Sequence, residues 1–116
     1  MIILDTDFLI NAIKSRIDFI TEIKENSPKE KIAILDKTLD ELKKVNNINS
    51  KTALALIKAR NIKIIETNKD KSVDELIPEN AKSNDIIATQ DKELKRKLKF
   101  KGIKTITIRQ KKYLKF

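Results

Sequence analysis

The stretch Met1-Ile-Ile-Leu-Asp-Thr-Asp-Phe-Leu-Ile10 decides how the rest of the chain is interpreted, because an apolar run ends in two carboxylates and then turns apolar again. Ile2 to Leu4 form a continuous apolar run, which is typical of a strand buried on both faces of a parallel sheet. Asp5 to Asp7 form the predicted turn, and a helix is predicted from Phe8. In open parallel sheets ligands bind beyond the carboxyl ends of the strands, where Asp5 is expected.

The composition narrows the chemistry that the chain can perform. Its 116 residues are 40% hydrophobic and 37% charged, without cysteine or histidine. The length predicts a single domain, residues 1–116. Disulfides, thiolate zinc sites, cysteine nucleophiles and imidazole bases are excluded. No apolar run approaches the roughly 20 residues of a membrane span, and no secretory signal is recognisable. We therefore expect a cytoplasmic protein without membrane contact, whose chemistry relies on oxygen ligands, hydroxyls and lysine.

The net charge of +9 is concentrated in the C-terminal segment. Residues 1–91 carry a net charge of −1, whereas residues 92–116 contain eleven lysines and arginines and only Glu93, which gives +10. Lysine and arginine neutralise phosphates and release counterions, which favours a polyanionic partner. A solvated, lysine-rich surface is the alternative interpretation, and the charge alone does not decide between the two.

Apolar runs and helical patterns alternate along the remaining chain. Thr38 with Glu41, and Ser72 with Glu75, match capping boxes that start two of the helices. Pro78 predicts a kink or early helix end, and Gly102 predicts a helix terminus. The alternation predicts a three-layer α/β/α sandwich with a mainly parallel sheet of about five strands. Further strands are predicted at 31–35, 62–65, 86–89 and 104–108, and helices at 16–26, 38–45, 50–61, 72–82 and through 94–98, before a basic segment, 109–116, that pairs or docks weakly.

Carboxylates fall at the predicted strand-to-helix turns on one edge of this sheet. Each has an ordinary alternative role as a helix cap, since acidic side chains satisfy free N–H groups at helix starts. Capping does not require an acid after every strand, however, and an oxygen-only cluster without a basic partner suits Mg²⁺ or Mn²⁺. The pattern leaves both interpretations open. The acidic residues at this edge are Asp5, Glu41, Asp74 and Asp91, whereas Asp85 is predicted at the opposite end.

Motifs at these turns carry a family resemblance. The motifs are Ile3-Leu-Asp-Thr-Asp-Phe-Leu9, Leu39-Asp-Glu-Leu42, Val73-Asp-Glu75, Ile87-Ala-Thr-Gln-Asp-Lys-Glu-Leu94 and the terminal Gly102-Ile-Lys-Thr-Ile-Thr-Ile-Arg-Gln110. Together they span almost the whole chain, which resembles the PIN-domain nucleases. It looks closest to the short archaeal-type members akin to the ribosomal-RNA-processing branch, and less close to the toxins of toxin–antitoxin pairs.

The resemblance implies a ribonuclease that depends on Mg²⁺ or Mn²⁺. Asp5 and Asp91 would be direct metal ligands, and Glu41 and Asp74 direct or water-mediated ones. Thr89 would support the site by hydrogen bonding. Asp7 is a candidate fifth ligand, which stands where the family commonly has a smaller polar residue. The candidate RNA-binding residues are Lys92, Lys95, Arg96, Lys99 and Arg109.

Partners and alternative functions follow from the same resemblance. RNA is the implied substrate, while a homodimer, an antitoxin or a ribosome-assembly partner are left open. The alternative function is a catalytically weak or inactive RNA- or protein-binding module of the same fold. A phosphatase of the haloacid-dehalogenase type also begins with paired aspartates after a strand. It would need a glycine and a threonine soon after them, where Phe8 and Leu9 stand here.

Overall fold

A six-stranded sheet forms the middle layer of the computed structural model, which describes residues 1–116. All neighbouring strands are parallel except the last pair, β5 and β6. The mainly parallel α/β architecture is therefore confirmed, with one strand more than predicted. In the spatial order β3-β2-β1-β4-β5-β6 the strands are β1 (Ile2–Leu4), β2 (Ile32–Leu35), β3 (Lys63–Ile65), β4 (Ile86–Ala88), β5 (Lys104–Arg109) and β6 (Tyr113–Lys115).

Six helices cover the two faces of this sheet. β1 alternates between two hydrophobic clusters, because Ile2 and Leu4 pack with side chains of α1 to α4, whereas Ile3 packs with those of α5 and α6. This arrangement confirms the three-layer sandwich. None of the helices combines the length and apolar character needed to cross a bilayer. The helices are α1 (Thr6–Lys14), α2 (Phe19–Asn26), α3 (Asp36–Val45), α4 (Ile48–Ala59), α5 (Val73–Asn80) and α6 (Lys92–Phe100).

Both predicted capping boxes are wrong in detail. Helix α3 begins at Asp36, so Thr38 lies inside it, fully buried, and its hydroxyl has no hydrogen-bond partner. Ser72 does occupy the N-cap position of α5, but its hydroxyl donates to the side chains of Asp74 and Glu75 instead of accepting a backbone N–H. A capping box forms instead at the start of α4, between Asn47 and the third residue of the helix.

Pro78 was predicted to kink its helix or to end it early; the early end is wrong, and the kink stays a prediction. The helix continues through the proline to Asn80. Pro78 has no N–H to donate to the carbonyl of Asp74, but its fixed φ angle is compatible with a helix. The tertiary packing explains the continuation, because Val73, Leu76 and Ile77 bury this short helix against the sheet.

The segment predicted to pair weakly forms the antiparallel strand β6. The chain reverses through Gln110 and Lys111, which have positive φ angles of 54° and 55°. The strand then pairs with Thr107 to Arg109. Gly102 ends α6 as predicted, with a φ of 75° and with the N–H of Ile103 donating to the carbonyl of Leu98.

Candidate active site

Asp5 is nearly enclosed by the protein at the carboxyl end of β1, with only 3% of its surface exposed. It is the N-cap of α1, because its Oδ1 accepts a hydrogen bond of 2.9 Å from the N–H of Thr6. Its Oδ2 accepts a hydrogen bond of 2.8 Å from the hydroxyl of Thr89, directly after β4. Asp5 is therefore both a helix cap and a buried carboxylate. Its role as a cap does not exclude a role as a metal ligand.

Thr89 joins Asp5 to the next acidic turn. Its Oγ1 accepts a hydrogen bond of 3.1 Å from the N–H of Asp91 while the same hydroxyl donates to Asp5. Asp91 is the N-cap of α6, and its Oδ1 accepts from the N–H groups of Glu93 and Leu94. The other oxygen, Oδ2, has no hydrogen-bond partner in the protein, so it is free to bind a ligand.

Glu41 lies in the second turn of α3, not in its first turn as predicted. Its Oε1 accepts a hydrogen bond of 2.7 Å from the hydroxyl of Thr6, and its Oε2 accepts one of 2.9 Å from the N–H of Val73. Glu41 therefore links the N-terminal ends of α1 and α5. Asp74, the second residue of α5, is exposed and receives a hydrogen bond from Ser72.

Burial and neighbouring carboxylates raise the pKa values of Asp5 and Asp7. Burial is the main reason why the pKa of Asp5 rises from 3.8 to about 6, with further increases from the charges of Asp7 and Glu41 and an opposing effect of the hydrogen bond from Thr89. The pKa of Asp7 is also raised, first by loss of water around its carboxylate, although much of the residue stays accessible, and then by the charges of Glu41, Asp91 and Asp74. The five predicted acidic residues therefore share one end of the sheet.

No lysine or arginine forms an ion pair with any of these five carboxylates. A cluster of like charges without a basic partner fits a divalent cation, and carboxylate oxygens are the donors that Mg²⁺ and Mn²⁺ prefer. As the side chains stand, however, no three of them converge closely enough to form a metal-ligand set. The hydrogen bonds from Thr6, Thr89 and Val73 occupy both oxygens of Asp5 and both oxygens of Glu41. The carboxylates of Asp7 and Asp91 are less constrained by hydrogen bonds.

Two residues outside the predicted site support this cluster. Thr6 contributes its N–H to Asp5 and its hydroxyl to Glu41. Gln90 joins the end of β4 to β5, because its Oε1 accepts from the N–H of Ile108 at 2.6 Å and its Nε2 donates to the same residue's carbonyl. The Asp-Thr-Asp order after β1 was the one available signal for Thr6, and nothing in the sequence pointed to Gln90.

Other acidic residues near strand ends do not belong to the cluster. Asp36, directly after β2, accepts hydrogen bonds from the N–H and the hydroxyl of Thr67 and fixes the chain after β3. Asp85 lies at the opposite end of the sheet, as predicted, where it is 3.3 Å from the N-terminal ammonium of Met1.

Four of the five predicted RNA-binding residues line one groove. Lys92, Lys95, Arg96 and Lys99 line one groove along α6, whereas Arg109 lies outside its lining. The pKa of Lys95 is lowered, first by burial and then by the positive charges of Arg109 and Lys92. Lys92, Lys95 and Arg109 therefore lie close enough for their charges to interact, and the charge of Asp91 also reaches Lys95.

A family model described as a PIN like domain matches residues 2–111. The chain belongs to the PIN-like domain family. Over 122 aligned positions it is 38% identical to Ribonuclease VapC4 of Methanocaldococcus jannaschii, covering 97% of this chain and 92% of that protein. The family predicted from the motifs is thereby confirmed.

Two solved structures share the fold of this PIN-like chain. The PIN domain endonuclease Utp24 superposes with a TM-score of 0.78 at 23% identity, over 95% of this chain and 86% of its own. A domain of a functionally unknown protein from Methanocaldococcus jannaschii superposes with a TM-score of 0.58 at 19% identity, over 93% and 90% of the two chains. At these identities the likeness extends to the fold alone. The range matched by the PIN-like family contains all five clustered carboxylates and leaves β6 outside.

Proposed function

We propose that this protein is a divalent-metal-dependent endoribonuclease that hydrolyses RNA phosphodiester bonds at the acidic end of its sheet. The observation that carries the proposal is the group of five carboxylates at one end of the sheet, none of which has a basic partner, and whose charges raise the pKa values of Asp5 and Asp7. Such a group is unfavourable unless cations bind to it. The relationship to a protein named as a ribonuclease supports RNA as the substrate.

Each acidic residue has a proposed role. Asp5 and Asp91 are the direct ligands of Mg²⁺ or Mn²⁺, because they stand after the two central strands β1 and β4. Asp7, Glu41 and Asp74 complete the site directly or through water. When bound, the ion supplies Lewis-acid stabilisation of charge on the scissile phosphate and a water of lowered pKa. Because two metal ions can share such a site, the accessible Asp7 provides the extra charge that a second ion would need.

The surrounding residues hold and orient these groups. Thr89 fixes the carboxylate of Asp5 and the backbone of Asp91 at once, so that the ends of β1 and β4 keep a constant separation. Thr6 and Glu41 do the same for α1 and α3. Lys92 directly follows Asp91 at the start of α6, and its proposed role is to contact the phosphate backbone of the substrate.

Cleavage of a single-stranded RNA by the wild-type protein, with and without EDTA, tests the proposal. The Asp91→Asn variant keeps the helix cap, because asparagine caps helices as well as aspartate does, but it loses the ligand charge. We expect Mn²⁺-dependent cleavage by the wild type and at least a hundredfold loss in Asp91→Asn. Asp18→Asn, which changes the N-cap of α2, is the matched control and should cleave at the wild-type rate. RNA binding without cleavage, indifferent to Mg²⁺, would instead favour the inactive binding module.

We further propose a toxin-type role. The relationship to Ribonuclease VapC4 favours the toxin branch over the ribosomal-RNA-processing branch, to which the motifs look closer. An antitoxin is then the expected partner, and a ribosome-assembly partner and a homodimer stay predictions. Expression of the wild type in a bacterial host should arrest growth, and Asp91→Asn should not. Unimpaired growth during active RNA cleavage in the same cells would contradict the toxin role.

A further inference from the structure

A groove of about 910 Å³ runs along α6 on the outer part of the sheet. Its lining combines α6, the first half of β5, the end of α2 and the C-terminal Phe116. Five of its residues carry a positive charge and none is acidic. The five are Lys92, Lys95, Arg96, Lys99 and Lys104.

None of the five basic residues of the groove forms an ion pair. Lys92, Lys95 and Lys99 recur every three or four residues, so they share one side of α6. The other side of the helix, with Lys97 and Phe100, borders a separate depression that also contains acidic residues, Glu75 and Glu79. The groove side therefore presents an uncompensated positive surface, which favours a polyanion.

The open edge of β5 adds backbone groups and an aromatic ring to the groove. Strand β6 pairs only with Thr107 to Arg109, so the outer edge of β5 from Lys104 to Ile106 has no neighbouring strand. Phe116 follows β6 and is 45% exposed. It borders the groove from beyond the range that the family model matches.

We propose that the groove binds the single-stranded part of the RNA that leads away from the acidic end, with phosphates on Lys95, Lys99 and Lys104 and a base stacked on Phe116. This inference rests on the proposed function. The groove begins at Lys92, directly after Asp91, so one strand can contact both places. Aromatic rings bind unpaired bases by stacking, largely independently of sequence, and a row of cations binds the backbone. A duplex offers no free base face to Phe116 and binds less tightly.

Fluorescence anisotropy of a labelled, mixed-sequence single-stranded RNA of twelve nucleotides, in EDTA, tests the groove without cleavage. The groove variants Lys99→Ala and Phe116→Ala are compared with Lys97→Ala and Phe100→Ala, which change the same residue types on the other side of α6. We expect the groove variants to bind at least fivefold more weakly and the controls within twofold of the wild type. The slope of log affinity against log salt should fall by about 0.7 in Lys99→Ala, as for one lost phosphate contact.

Two results would overturn the groove assignment: an equal loss of RNA affinity in the groove variants and the control variants, or no loss in the groove variants. Thermal unfolding of each variant verifies that it is folded. Displacement of the RNA by a poly-glutamate peptide at lower concentration than by unlabelled RNA would overturn it in favour of an acidic protein partner. A result in which groove variants lose RNA binding, while the wild type with Mn²⁺ cleaves nothing, contradicts the proposed function and supports the groove.

Discussion

The hydroxyl of Thr89 donates a 2.8 Å hydrogen bond to Asp5 across 84 positions of the sequence. The same oxygen accepts the N–H of Asp91, so one buried side chain joins the two carboxylates after the central strands. This contact depends on the parallel pairing of β1 with β4, which brings Leu4 opposite Ala88. The sheet register therefore determines the geometry of the proposed metal ligands.

Replacement of Thr89 by valine should weaken both stability and activity. The change leaves Asp5 Oδ2 and the N–H of Asp91 without partners, which costs about 1–3 kcal/mol of unfolding free energy. We expect Thr89→Val to lower the urea midpoint and to reduce RNA cleavage at least tenfold, whereas Thr89→Ser retains the hydroxyl and restores most of both. Equal behaviour of the two variants would show that the hydroxyl does not position the site.

Asp5 should make the metal-free protein less stable at neutral pH than at acidic pH. Because its pKa is raised from 3.8 to about 6 in the folded state, the folded protein binds an extra proton between these values. The stabilisation that the raised pKa of Asp5 contributes to the folded state is at most about 3 kcal/mol. It is fully present below pH 4 and is lost as the pH rises through 6. In EDTA, Asp5→Asn should be more stable than the wild type at pH 8, and the difference should shrink or reverse at pH 4. A pH-independent difference would contradict this expectation.

Replacement of Glu41 and of Asp74 by alanine should lower the free energy of unfolding by different amounts. Glu41→Ala leaves the N–H of Val73 and the hydroxyl of Thr6 unpaired, and we expect a loss of about 1–3 kcal/mol in urea unfolding. Asp74→Ala changes an exposed residue whose partner Ser72 also donates to Glu75, so stability should stay within about 0.5 kcal/mol. Both variants should cleave RNA more slowly. Full activity of Asp74→Ala would remove that residue from the site.

Capping and metal binding can be separated at Asp91. Asp91→Ala should lose about 1 kcal/mol of stability with the cap, and Asp91→Asn should not. Both should lose RNA cleavage. Asp18→Ala, at the start of α2, should show the same loss of stability with unchanged cleavage. If the RNA cleavage rate of these three variants falls only where their stability falls, Asp91 acts as a helix cap alone.

The central strands were predictable because their signal is local. The continuous apolar runs of β1, β2 and β4 are buried on both faces, and this burial is what the runs indicate. The hairpin to β6 was not predictable. Its turn places Gln110 and Lys111 at positive φ, where asparagine and glycine are the usual residues, so the sequence carries no turn signal.

The ends of three helices were also only partly predictable from the sequence. α1, α4 and α6 all end with a left-handed residue followed by a backbone N–H donated to a carbonyl five residues earlier. Gly102 and Asn61 are residue types that favour this ending, whereas Arg16 gives no such signal. Arg16 adopts the same conformation because tertiary packing of the following Ile17 holds it there. A pattern of residue types cannot show such packing in advance.

For the site, the sequence placed the acidic residues at one end of the sheet but not their contacts. The position of Asp5 and Asp91 follows from the strand order, whereas the contact between Glu41 and Val73 depends on how α3 and α5 meet. Glu41 was assigned to a capping box because its spacing from Thr38 matched one, yet α3 begins two residues earlier. The metal-binding roles of these residues stay predictions.

Calorimetric titration of Mn²⁺ into the wild type, Asp91→Asn and Asp18→Asn at pH 7.5 tests the proposed metal site most directly. The account predicts saturable binding by the wild type and Asp18→Asn and at least tenfold weaker binding by Asp91→Asn. Absence of saturable binding by the wild type, or equal binding by all three proteins, would contradict it. Asp5 and Asp91 would then be helix caps, and the basic groove along α6 would be the remaining functional surface.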